Sequence, residues 1–263
     1  MSVAALLFDV DGTLADTEEA HRLAFNDAFD RLGIGWNWTP DVYRGLLDVT
    51  GGKQRIAAWI AATVTGAAER ARLTGMIPAI HEVKTQRYNA LVGGGAVSLR
   101  EGVQRLMEEA RSAGCLLAIA STTTPANVDA LLRATLGSRG IGMFGTIACG
   151  DEVTRKKPAP DIYELALVRL GVAPEDAVAF EDSRNGLLAA HGAGLWTVVT
   201  PNVWTASQDL SDADLLLPHL GDPGRPLPGE PGTALEEAAW LTYVELARRK
   251  ACRPRTERAM ESA

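Results

Sequence analysis

Short apolar runs that end at polar residues recur along this chain, and they constrain its fold more than any other feature. Four clear runs and a fifth, weaker one occupy residues 3–8, 116–120, 177–180, 195–199 and 214–217. A continuous apolar run of about four to eight residues is typical of a strand buried on both faces of a parallel sheet. Helical patterns lie between the runs, at residues 101–113, 125–136, 160–170 and 184–193. The alternation predicts an α/β fold with a doubly wound parallel sheet.

The segment from residue 16 to residue 92 has a different character, because it carries helical patterns and no convincing strand. Helices are expected near residues 17–32, 40–47, 52–65, 67–73 and 76–91. Since the segment follows the first strand directly, it predicts an all-helical cap, residues 16–92, inserted after that strand. The core is then expected to comprise residues 1–15 and 93–220.

The remaining residues, 221–263, are expected to form a linker and a C-terminal helix. Proline and glycine dominate residues 221–232, a composition typical of a linker. Thr233 and Glu236 have the spacing of a capping box, which predicts a helix that continues to about Lys250. That helix is expected to dock on the core or to fray, and it is a weaker candidate for a contact with another protein; the chain is otherwise expected to be a monomer.

The composition excludes two classes of partner and indicates a compartment. The 263 residues carry a formal net charge of −7, which disfavours nucleic acid and anionic membranes as partners. No basic leader precedes the first apolar run, and no apolar stretch approaches the roughly 20 residues that a membrane span needs. The three cysteines are scattered without CxxC spacing, as in proteins of reducing compartments. A cytoplasmic protein is expected, in a bacterial cytosol or a plastid stroma.

Two aspartates directly after the first apolar run are the first candidates for a catalytic site. Asp9 and Asp11 lie two residues apart, and Gly12 permits a tight turn where the chain leaves the sheet. One carboxylate is suited to attack phosphorus or to bind a metal, and the other to transfer a proton. The alternative is an ordinary Asp-Gly turn capped by Thr13. The pair alone does not decide between these interpretations.

Polar residues also follow the later runs, at the edge of the sheet where ligands bind in folds of this kind. Ser121 and the threonines Thr122–Thr124 offer hydroxyl and N–H groups to a phosphoryl group, or they cap a helix. Lys157 is suited to neutralise phosphate charge, or it belongs to a solvated basic pair. Glu181 and Asp182 offer the hard oxygen ligands that Mg²⁺ prefers, or they cap the next helix.

The order Asp-x-Asp, Ser, Lys and Glu-Asp at successive strand ends resembles the haloacid dehalogenase superfamily over roughly residues 3–220. The resemblance implies a Rossmann-like core and a Mg²⁺-dependent phosphatase. Asp9 would be the nucleophile, and Asp11 would protonate the leaving oxygen and then activate water. Ser121 and Lys157 would hold the transferring group.

The same resemblance implies a magnesium site built from the two carboxylate motifs. Asp9, the main-chain carbonyl of Asp11, and Asp182 would bind the ion. Glu181 would be either a further ligand or a partner of the ligands.

Four residues on predicted cap helices are candidates for substrate contacts. Glu18 and His21 lie one helical turn apart, directly after the first strand, so the face they share is able to look back at Asp11. Lys84 and Arg87 belong to a basic face of a later helix. In both cases the alternative is a solvated helix face.

A glycine-rich turn in the cap is the stronger indication of an anion site. Thr50, Gly51, Gly52 and Lys53 place a glycine pair at the start of a helix, which frees N–H groups for an anion, and the lysine adds charge. The alternative is a flexible turn between helices. If the cap binds one phosphate while the core cleaves another, the substrate is a bisphosphate.

Longer runs resemble the CbbY group of the same superfamily. They are EEAH at 18–21, WNW at 36–38, VTGGK at 49–53, KPAPDIY at 157–163 and EDSRNG at 181–186. Members of that group dephosphorylate xylulose 1,5-bisphosphate, an inhibitory by-product of Rubisco. The resemblance implies this small phosphorylated sugar as substrate, with contacts from the threonines after Ser121 and from Glu18, Tyr43, Lys53, Lys84 and Arg87. Tyr43 is assigned by position alone, and residues beyond about 220 have no counterpart in the group.

Three other functions stay open at this point. A β-phosphoglucomutase would form the same aspartyl-phosphate but return the phosphate to a sugar, and a phosphoglycolate phosphatase would leave Lys53 without a role. A true dehalogenase is disfavoured, because Asp11 is a proton donor suited to phosphate esters. A non-catalytic sugar-phosphate-binding protein would be expected to lack one of the catalytic residues, and none is missing.

Overall fold

The computed structural model describes residues 3–228, 235 and 239–252, which contain a six-stranded parallel sheet. The strands are β1 (Ala5–Phe8), β2 (Leu116–Ala120), β3 (Thr146–Ala148), β4 (Ala177–Glu181), β5 (Trp196–Val199) and β6 (Leu215–Leu216). Their spatial order is β3-β2-β1-β4-β5-β6, so the chain winds in both directions from the central strand β1. The predicted fold class, a doubly wound parallel sheet, is therefore confirmed.

Helices cover both faces of the sheet. They are α5 (Val103–Ser112), α6 (Pro125–Leu136), α7 (Asp161–Leu170) and α8 (Arg184–Gly192). Along β1, Leu6 and Phe8 join one apolar cluster with residues of α5 and α6, whereas Leu7 joins a second cluster with residues of α7 and α8. A strand that is buried on both sides has no polar face, which explains why the strands read as continuous apolar runs.

The register of β1 brings the ends of three strands together. Phe8 at the end of β1 pairs with Ile119 of β2 and with Phe180 of β4. The rings of Phe8 and Phe180 stack with their centroids 4.6 Å apart. Because the strands are parallel, the residues that follow them leave the sheet at a single edge, the carboxyl edge.

Residues 16–93 form four helices that precede α5. They are α1 (Glu18–Arg31), α2 (Pro40–Leu46), α3 (Gly52–Thr63) and α4 (Ala67–Gly93). Their facing sides enclose an apolar cluster of their own, in which Phe25, Trp38 and Ile56 are completely buried. An all-helical insertion after β1 is what the sequence predicts, and the limits of the core and cap as domains stay a prediction.

One helix in this region differs from the prediction. Residues 67–73 and 76–91 are not two helices but parts of α4, which continues through Pro78. Proline removes a single backbone N–H, a cost of roughly 3 kcal/mol. Leu73 and Ile80, on either side of the proline, are both buried in the cap cluster, and this packing offsets the cost.

The end of the chain differs from the prediction as well. Thr233 and Glu236 lie outside the described residues, and the helix α9 runs from Tyr243 to Ala251 with Thr242 as its N-cap. Residues 239–242 are not helical, so a continuous helix from 233 to 250 is wrong.

The described part of the extension is bound to the core rather than extended as a free linker. Arg105 of α5 bonds to Asp222 (3.2 Å) and donates to the carbonyl oxygens of Gly221 (2.7 Å) and Leu241 (3.1 Å). Leu241 and Leu246 are fully buried in the core cluster. The prediction from glycine and proline content misses this, because composition does not show which partners such a segment finds.

Among the described residues, no helix combines the length and the apolar character that crossing a membrane requires.

Candidate active site

A cleft of about 360 Å³ lies between the carboxyl edge of the sheet and the cap helices. The core contributes residues that follow β1, β2 and β4, and the cap contributes residues of α1, α3 and α4. This is the place where an open α/β sheet binds its ligands. The predicted site residues that line it are Asp9, Asp11, Glu18, His21, Thr50, Gly51, Gly52, Lys53, Lys84, Ser121, Thr122, Thr123, Thr124, Lys157, Glu181 and Asp182.

Asp9 is held at the end of β1 by a backbone bond and an ion pair. Its N–H donates to the carbonyl oxygen of Phe180 (3.0 Å), and its Oδ1 accepts from Lys157 Nζ (2.6 Å). Burial raises the pKa of Asp9 to about 7 against the opposing charge of Lys157, and the carboxylate of Glu181 adds to the rise. A fixed, buried carboxylate of this kind is suited to nucleophilic attack once a cation stabilises its charge.

Lys157 connects two carboxylates under the cleft. Its Nζ donates to Asp9 Oδ1 (2.6 Å) and to Glu181 Oε1 (2.5 Å), and the hydroxyl of Tyr163 donates to the same oxygen of Glu181 (2.5 Å). Burial disfavours the ammonium, but the two carboxylates outweigh that effect and raise the pKa of Lys157. The lysine is therefore charged and fixed beside the nucleophile candidate.

Three buried carboxylates form a cluster that fits a divalent cation. Oxygen atoms of Asp9, Glu181 and Asp182 lie within 4.8 Å of one another. Burial, together with the charges of Asp9 and Glu181, raises the pKa of Asp182 well above its ordinary value. One lysine does not balance three acidic groups, and an all-oxygen donor set is the kind that Mg²⁺ prefers.

The side chain of Asp11 turns away from this cluster, towards the cap. Its Oδ1 accepts from the Thr17 hydroxyl (2.7 Å) and lies 2.9 Å from His21 Nε2. Burial favours the neutral acid, but these partners and the charge of Lys84 outweigh it and lower the pKa of Asp11. The Asp11 carboxylate is thus engaged by Thr17 and His21, and the predicted magnesium contact through the Asp11 main-chain carbonyl stays a prediction.

A buried lysine completes the line of groups behind Asp11. Lys84 Nζ lies 2.6 Å from His21 Nδ1, on the side of the ring opposite Asp11. An ammonium has no acceptor, so Nδ1 accepts from Lys84 and Nε2 carries the proton that His21 donates to Asp11. Burial lowers the pKa of Lys84 to about 8, although the charge of Asp11 opposes the shift.

The residues after β2 form a small polar pocket opposite Asp9. Ser121 is buried, and its N–H donates to the carbonyl oxygen of Ala148 (3.1 Å), which fixes its place beside β3. Thr123 Oγ1 accepts from Asn127 Nδ2 (3.0 Å). Thr124 caps α6 by accepting from the Asn127 N–H (3.3 Å), so the capping interpretation holds for this residue. The Ser121 hydroxyl oxygen accepts from the Thr123 N–H (3.4 Å), a bond within the loop and not a helix cap.

The Thr50–Lys53 turn borders the cleft from the cap side. Gly51 has φ of 94° at the N-cap of α3, a conformation that favours glycine, and a Cβ there would meet Lys156 Cδ at 3.0 Å. Asn185, at the start of α8, donates its amide to the Asp48 carbonyl and to Thr50 Oγ1, both at 3.0 Å. This bond ties the turn to the core.

Two predicted substrate contacts do not line the cleft. Tyr43 is completely buried, and its hydroxyl donates to Glu18 Oε2 (2.7 Å) and accepts from Arg55 (2.9 Å). Arg87 lies 3.7 Å from Asp27 of the neighbouring helix α1 and is not among the residues that line the cleft. Tyr43 thus holds a cleft residue, whereas Arg87 is engaged by α1.

The structure adds residues to the cleft that the sequence analysis does not single out. Among them are Arg55, Asn127, Lys156 and Asn185, whereas His81, three residues before Lys84 on the predicted basic face, lines the cleft as that prediction expects. Lys156 and Asn185 lie inside or beside runs that the analysis quotes, so motif proximity was a usable signal for both. Nothing in the sequence distinguishes Arg55 and Asn127 from ordinary helix residues.

The fold and the site together define a class of enzyme. The family described as haloacid dehalogenase-like hydrolase matches residues 3–194. The chain belongs to this family, and it is a phosphatase.

The comparisons then lead to one group within the family. CbbY of Cupriavidus necator (strain H16), encoded on a plasmid, is 49% identical over 231 residues, which cover 88% of this chain and 91% of that protein. A CbbY variant from Rhodobacter sphaeroides, solved in complex with xylulose 1,5-bisphosphate, has a TM-score of 0.77 at 48% identity, over 82% of this chain and 94% of that one. The resemblance to the CbbY group is thus confirmed.

A β-phosphoglucomutase from Clostridium difficile shows how far the fold extends beyond that group. It has a TM-score of 0.63 at 20% identity, over 82% of this chain and 90% of that one. The likeness concerns the fold alone.

Proposed function

We propose that the chain hydrolyses a phosphate ester of a small sugar through an aspartyl-phosphate on Asp9. The observation that carries the proposal is the ion pair of Asp9 with Lys157, 2.6 Å long, at the carboxyl edge beside Ser121 and the carboxylate cluster. Phosphoryl transfer needs alignment and charge neutralisation more than any other contribution, and this arrangement supplies both.

The first step breaks the ester bond. A carboxylate oxygen of Asp9 forms a bond to phosphorus as the bond from phosphorus to the sugar oxygen breaks, and a protonated Asp11 gives its proton to that oxygen. Lys157 and Ser121 hold the phosphoryl oxygens. A bound Mg²⁺, held by Asp9, Asp182 and the main-chain carbonyl of Asp11, would neutralise charge on the phosphoryl group and on the carboxylates.

The second step returns the enzyme to its starting state. The Asp11 carboxylate accepts a proton from water, and the water oxygen forms a bond to phosphorus as the Asp9–phosphorus bond breaks. Inorganic phosphate leaves, and Asp11 carries a proton for the next cycle. The lowered pKa of Asp11 describes the carboxylate state that this second step uses.

Asp9→Asn tests the nucleophile. We expect phosphate release to fall by about 1,000-fold or more, because an amide oxygen is a poor nucleophile. The melting temperature and circular dichroism report whether the fold is kept. Residual activity above about a tenth of the wild type would refute the role of Asp9.

Chelation of metal from the wild type by EDTA should stop phosphate release, and added Mg²⁺ should restore it.

The substrate that we propose is xylulose 1,5-bisphosphate. A CbbY relative at 48% identity was solved with this compound. The cleft agrees with two anionic groups, since Lys157 lies at the core end and Lys53, Lys84 and Lys156 lie on the walls towards the cap. A cytoplasmic location and a monomeric state are proposed with it.

A substrate panel tests this choice. Phosphate release with Mg²⁺ is measured for xylulose 1,5-bisphosphate, ribulose 1,5-bisphosphate, fructose 1,6-bisphosphate, phosphoglycolate and β-glucose 1-phosphate. We expect kcat/KM for the first to exceed the others by about 100-fold, which corresponds to about 2.7 kcal/mol. Similar kcat/KM values for all five compounds would overturn xylulose 1,5-bisphosphate as the substrate but would not contradict the aspartyl-phosphate mechanism. Isomerisation of glucose phosphate without phosphate release would favour a mutase.

A further inference from the structure

The loop after β5 is a core segment with a fixed turn beside the carboxylate cluster. Asn202 Nδ2 donates to Asp182 Oδ2 (2.8 Å), and Asn202 Oδ1 accepts from the N–H of Trp204 (2.8 Å). The Asn202 N–H donates to Thr205 Oγ1 (3.1 Å), and the Thr205 N–H donates back to the Asn202 carbonyl at the same distance. Thr205 is 3% exposed. These hydrogen bonds connect the turn to Asp182 and fix the backbone at Trp204.

The side chain of Trp204 leaves the core and packs against the cap. Its ring meets the ring of Tyr43 edge-on, with centroids 5.6 Å apart and planes at 87°. The guanidinium of Arg44 lies 5.7 Å from the centre of the Trp204 ring. Its neighbour Val203 is 78% exposed, so the turn gives one apolar side chain to the solvent and the other to the cap.

Tyr43 connects Trp204 to a residue that lines the cleft. It is fully buried between Trp204 and the cap cluster, and its hydroxyl donates to Glu18 Oε2 (2.7 Å). Glu18 lines the cleft, whereas Tyr43 and Trp204 do not. The Trp204 ring thus limits where Tyr43 lies, and the Tyr43 hydroxyl limits where the Glu18 carboxylate lies.

We propose that Trp204 is a positioning residue, which docks the cap on the core through Tyr43 and thereby fixes Glu18 in the cleft. The proposal rests on the proposed function in one respect, that Glu18 contacts the sugar part of the substrate. Asn185 also holds the cap, by its bonds to Asp48 and Thr50, and His21 of α1 contacts Asp11 of the core. Loss of Trp204 therefore leaves other core–cap contacts in place.

Kinetics of Trp204→Ala and Trp204→Phe measure the effect on the substrate. We expect Trp204→Ala to raise KM for xylulose 1,5-bisphosphate about tenfold, the size of one aromatic and one cation–π contact, with kcat within about threefold. KM for p-nitrophenyl phosphate, which has no sugar, should change by less than about twofold. Trp204→Phe should restore most of the affinity, because it keeps an aromatic edge against Tyr43.

Trp36→Ala is the matched control. Trp36 is also a partly buried tryptophan of the cap cluster, but its ring contacts are Phe29 and Trp59, both within the cap. It should leave the ratio of the two KM values unchanged. An equal loss on both substrates in Trp204→Ala, a failure of Trp204→Phe to restore affinity, or the same change in Trp36→Ala would overturn the positioning role.

Hydrogen exchange tests the docking without any substrate. In Trp204→Ala, amides of α2 and of residues 200–206 should exchange faster together, whereas Trp36→Ala should leave residues 200–206 unchanged. Unchanged exchange in α2 of Trp204→Ala would overturn the docking. This readout separates the proposal from the proposed function, since it holds or fails whether or not any phosphate ester is turned over.

Discussion

Asp9 and Asp11 are two residues apart, yet their surroundings shift the two carboxyl pKa values in opposite directions. Burial raises the pKa of Asp9 to about 7, although Lys157 opposes the shift. Burial acts in the same direction on Asp11, but His21 and Thr17 outweigh it. The proposed cycle needs the reverse at its start, an ionised Asp9 as nucleophile and a protonated Asp11 as acid, so bound substrate and cation have to shift both pKa values. A cation beside Asp9 would lower its pKa and leave it ionised, ready for attack.

Lys53→Ala tests whether the cap turn binds a second phosphate. Lys53 lines the cleft at the first turn of the cap helix α3, whereas Lys157 belongs to the core. We expect its loss to raise KM about tenfold for a bisphosphate and less than about twofold for a monophosphate, because only the former places charge there. Arg72→Ala, an exposed cap residue paired with Glu69, is the control and should change neither value. Equal effects of Lys53→Ala on both substrates would contradict the two-phosphate proposal.

His81 gives a pH dependence of stability with a defined sign. Burial, together with the charges of Lys84 and Lys53, lowers the pKa of His81 to about 4. As the pH falls from about 6.5 to about 4, the unfolded chain gains a proton that the folded chain does not, so the folded state loses stability in this window. When the pH is lowered from 7 to 4.5, the free energy of unfolding of the wild type should therefore fall by about 2 kcal/mol more than that of His81→Gln. Urea unfolding of both proteins at the two pH values measures this difference. The same change of unfolding free energy with pH in both proteins would refute the prediction.

The catalytic edge could be predicted from the sequence, and the cap face only in part. Asp9, Ser121 and Asp182 each follow a buried strand, and parallel strands bring their ends together whatever the details of packing. The direction of a cap side chain depends instead on how four helices pack. For that reason Tyr43 lies behind Glu18 rather than in the cleft, and Arg87 pairs with Asp27 of α1 instead of lining the cleft.

One arginine, Arg100, connects the two segments by which the chain leaves the core for the cap and re-enters it. Arg100 is buried, and its guanidinium donates to the carbonyl oxygens of Gly12, Thr200 (2.6 Å) and Pro201 (2.9 Å). Its Nε lies 3.3 Å from Asp16 at the start of the cap. The planar fork of five donors thus ties the turn after Asp11 to the loops that follow β5 and to the outgoing chain.

Arg100→Lys tests this connection. A lysine has three donors on one atom and no fork, so at least one buried carbonyl would lose its partner. We expect the free energy of unfolding to fall by about 2 kcal/mol and kcat to fall with it, because Gly12 directly follows Asp11. Arg133→Lys, at an exposed pair with Asp129, should change stability by less than about 0.5 kcal/mol. Chemical denaturation of both variants makes the comparison, and equal midpoints would contradict it.

Elements were predictable where the pattern is long and regular. The apolar runs of β1, β2, β4 and β5 and the patterns of α5–α8 correspond to observed elements within a few residues. β3 has only three residues, Thr146–Ala148, and three residues carry too little pattern to indicate a strand. Pro78 suggests a break that the packing of Leu73 and Ile80 overrides. Such outcomes depend on tertiary contacts, which local sequence does not contain.

At the scale of the whole molecule, α9 packs at the edge of the sheet opposite the site. The Tyr243 hydroxyl donates to the carbonyl oxygen of Val3 (2.7 Å), just before β1, and Lys250 contacts the Glu175 carbonyl, just before β4. Both contacts lie at the amino ends of strands whose carboxyl ends carry Asp9 and Asp182. The helix therefore contributes to stability without reaching the cleft.

Leu246→Ala separates stability from activity. Leu246 is fully buried in the core cluster, so the substitution leaves a cavity and should lower the free energy of unfolding by about 2–4 kcal/mol. KM and kcat at 20 °C should stay within about twofold of the wild type. Val244, on the same helix but 76% exposed, is the control, and Val244→Ala should change stability by less than about 0.5 kcal/mol. A selective loss of kcat in Leu246→Ala would show that α9 influences the site.

The bond from Tyr243 to Val3 joins the last described helix to the segment that precedes the first strand. A ribosome releases a chain from its N-terminus, so β1, the central strand, emerges first and waits for its neighbours. β2 follows only after the whole cap, β4 later still, and the cover over the start of β1 comes last. Until β2 emerges, the nascent chain therefore carries an unpaired apolar strand, a ready binding site for the chaperones that meet new chains at the tunnel exit.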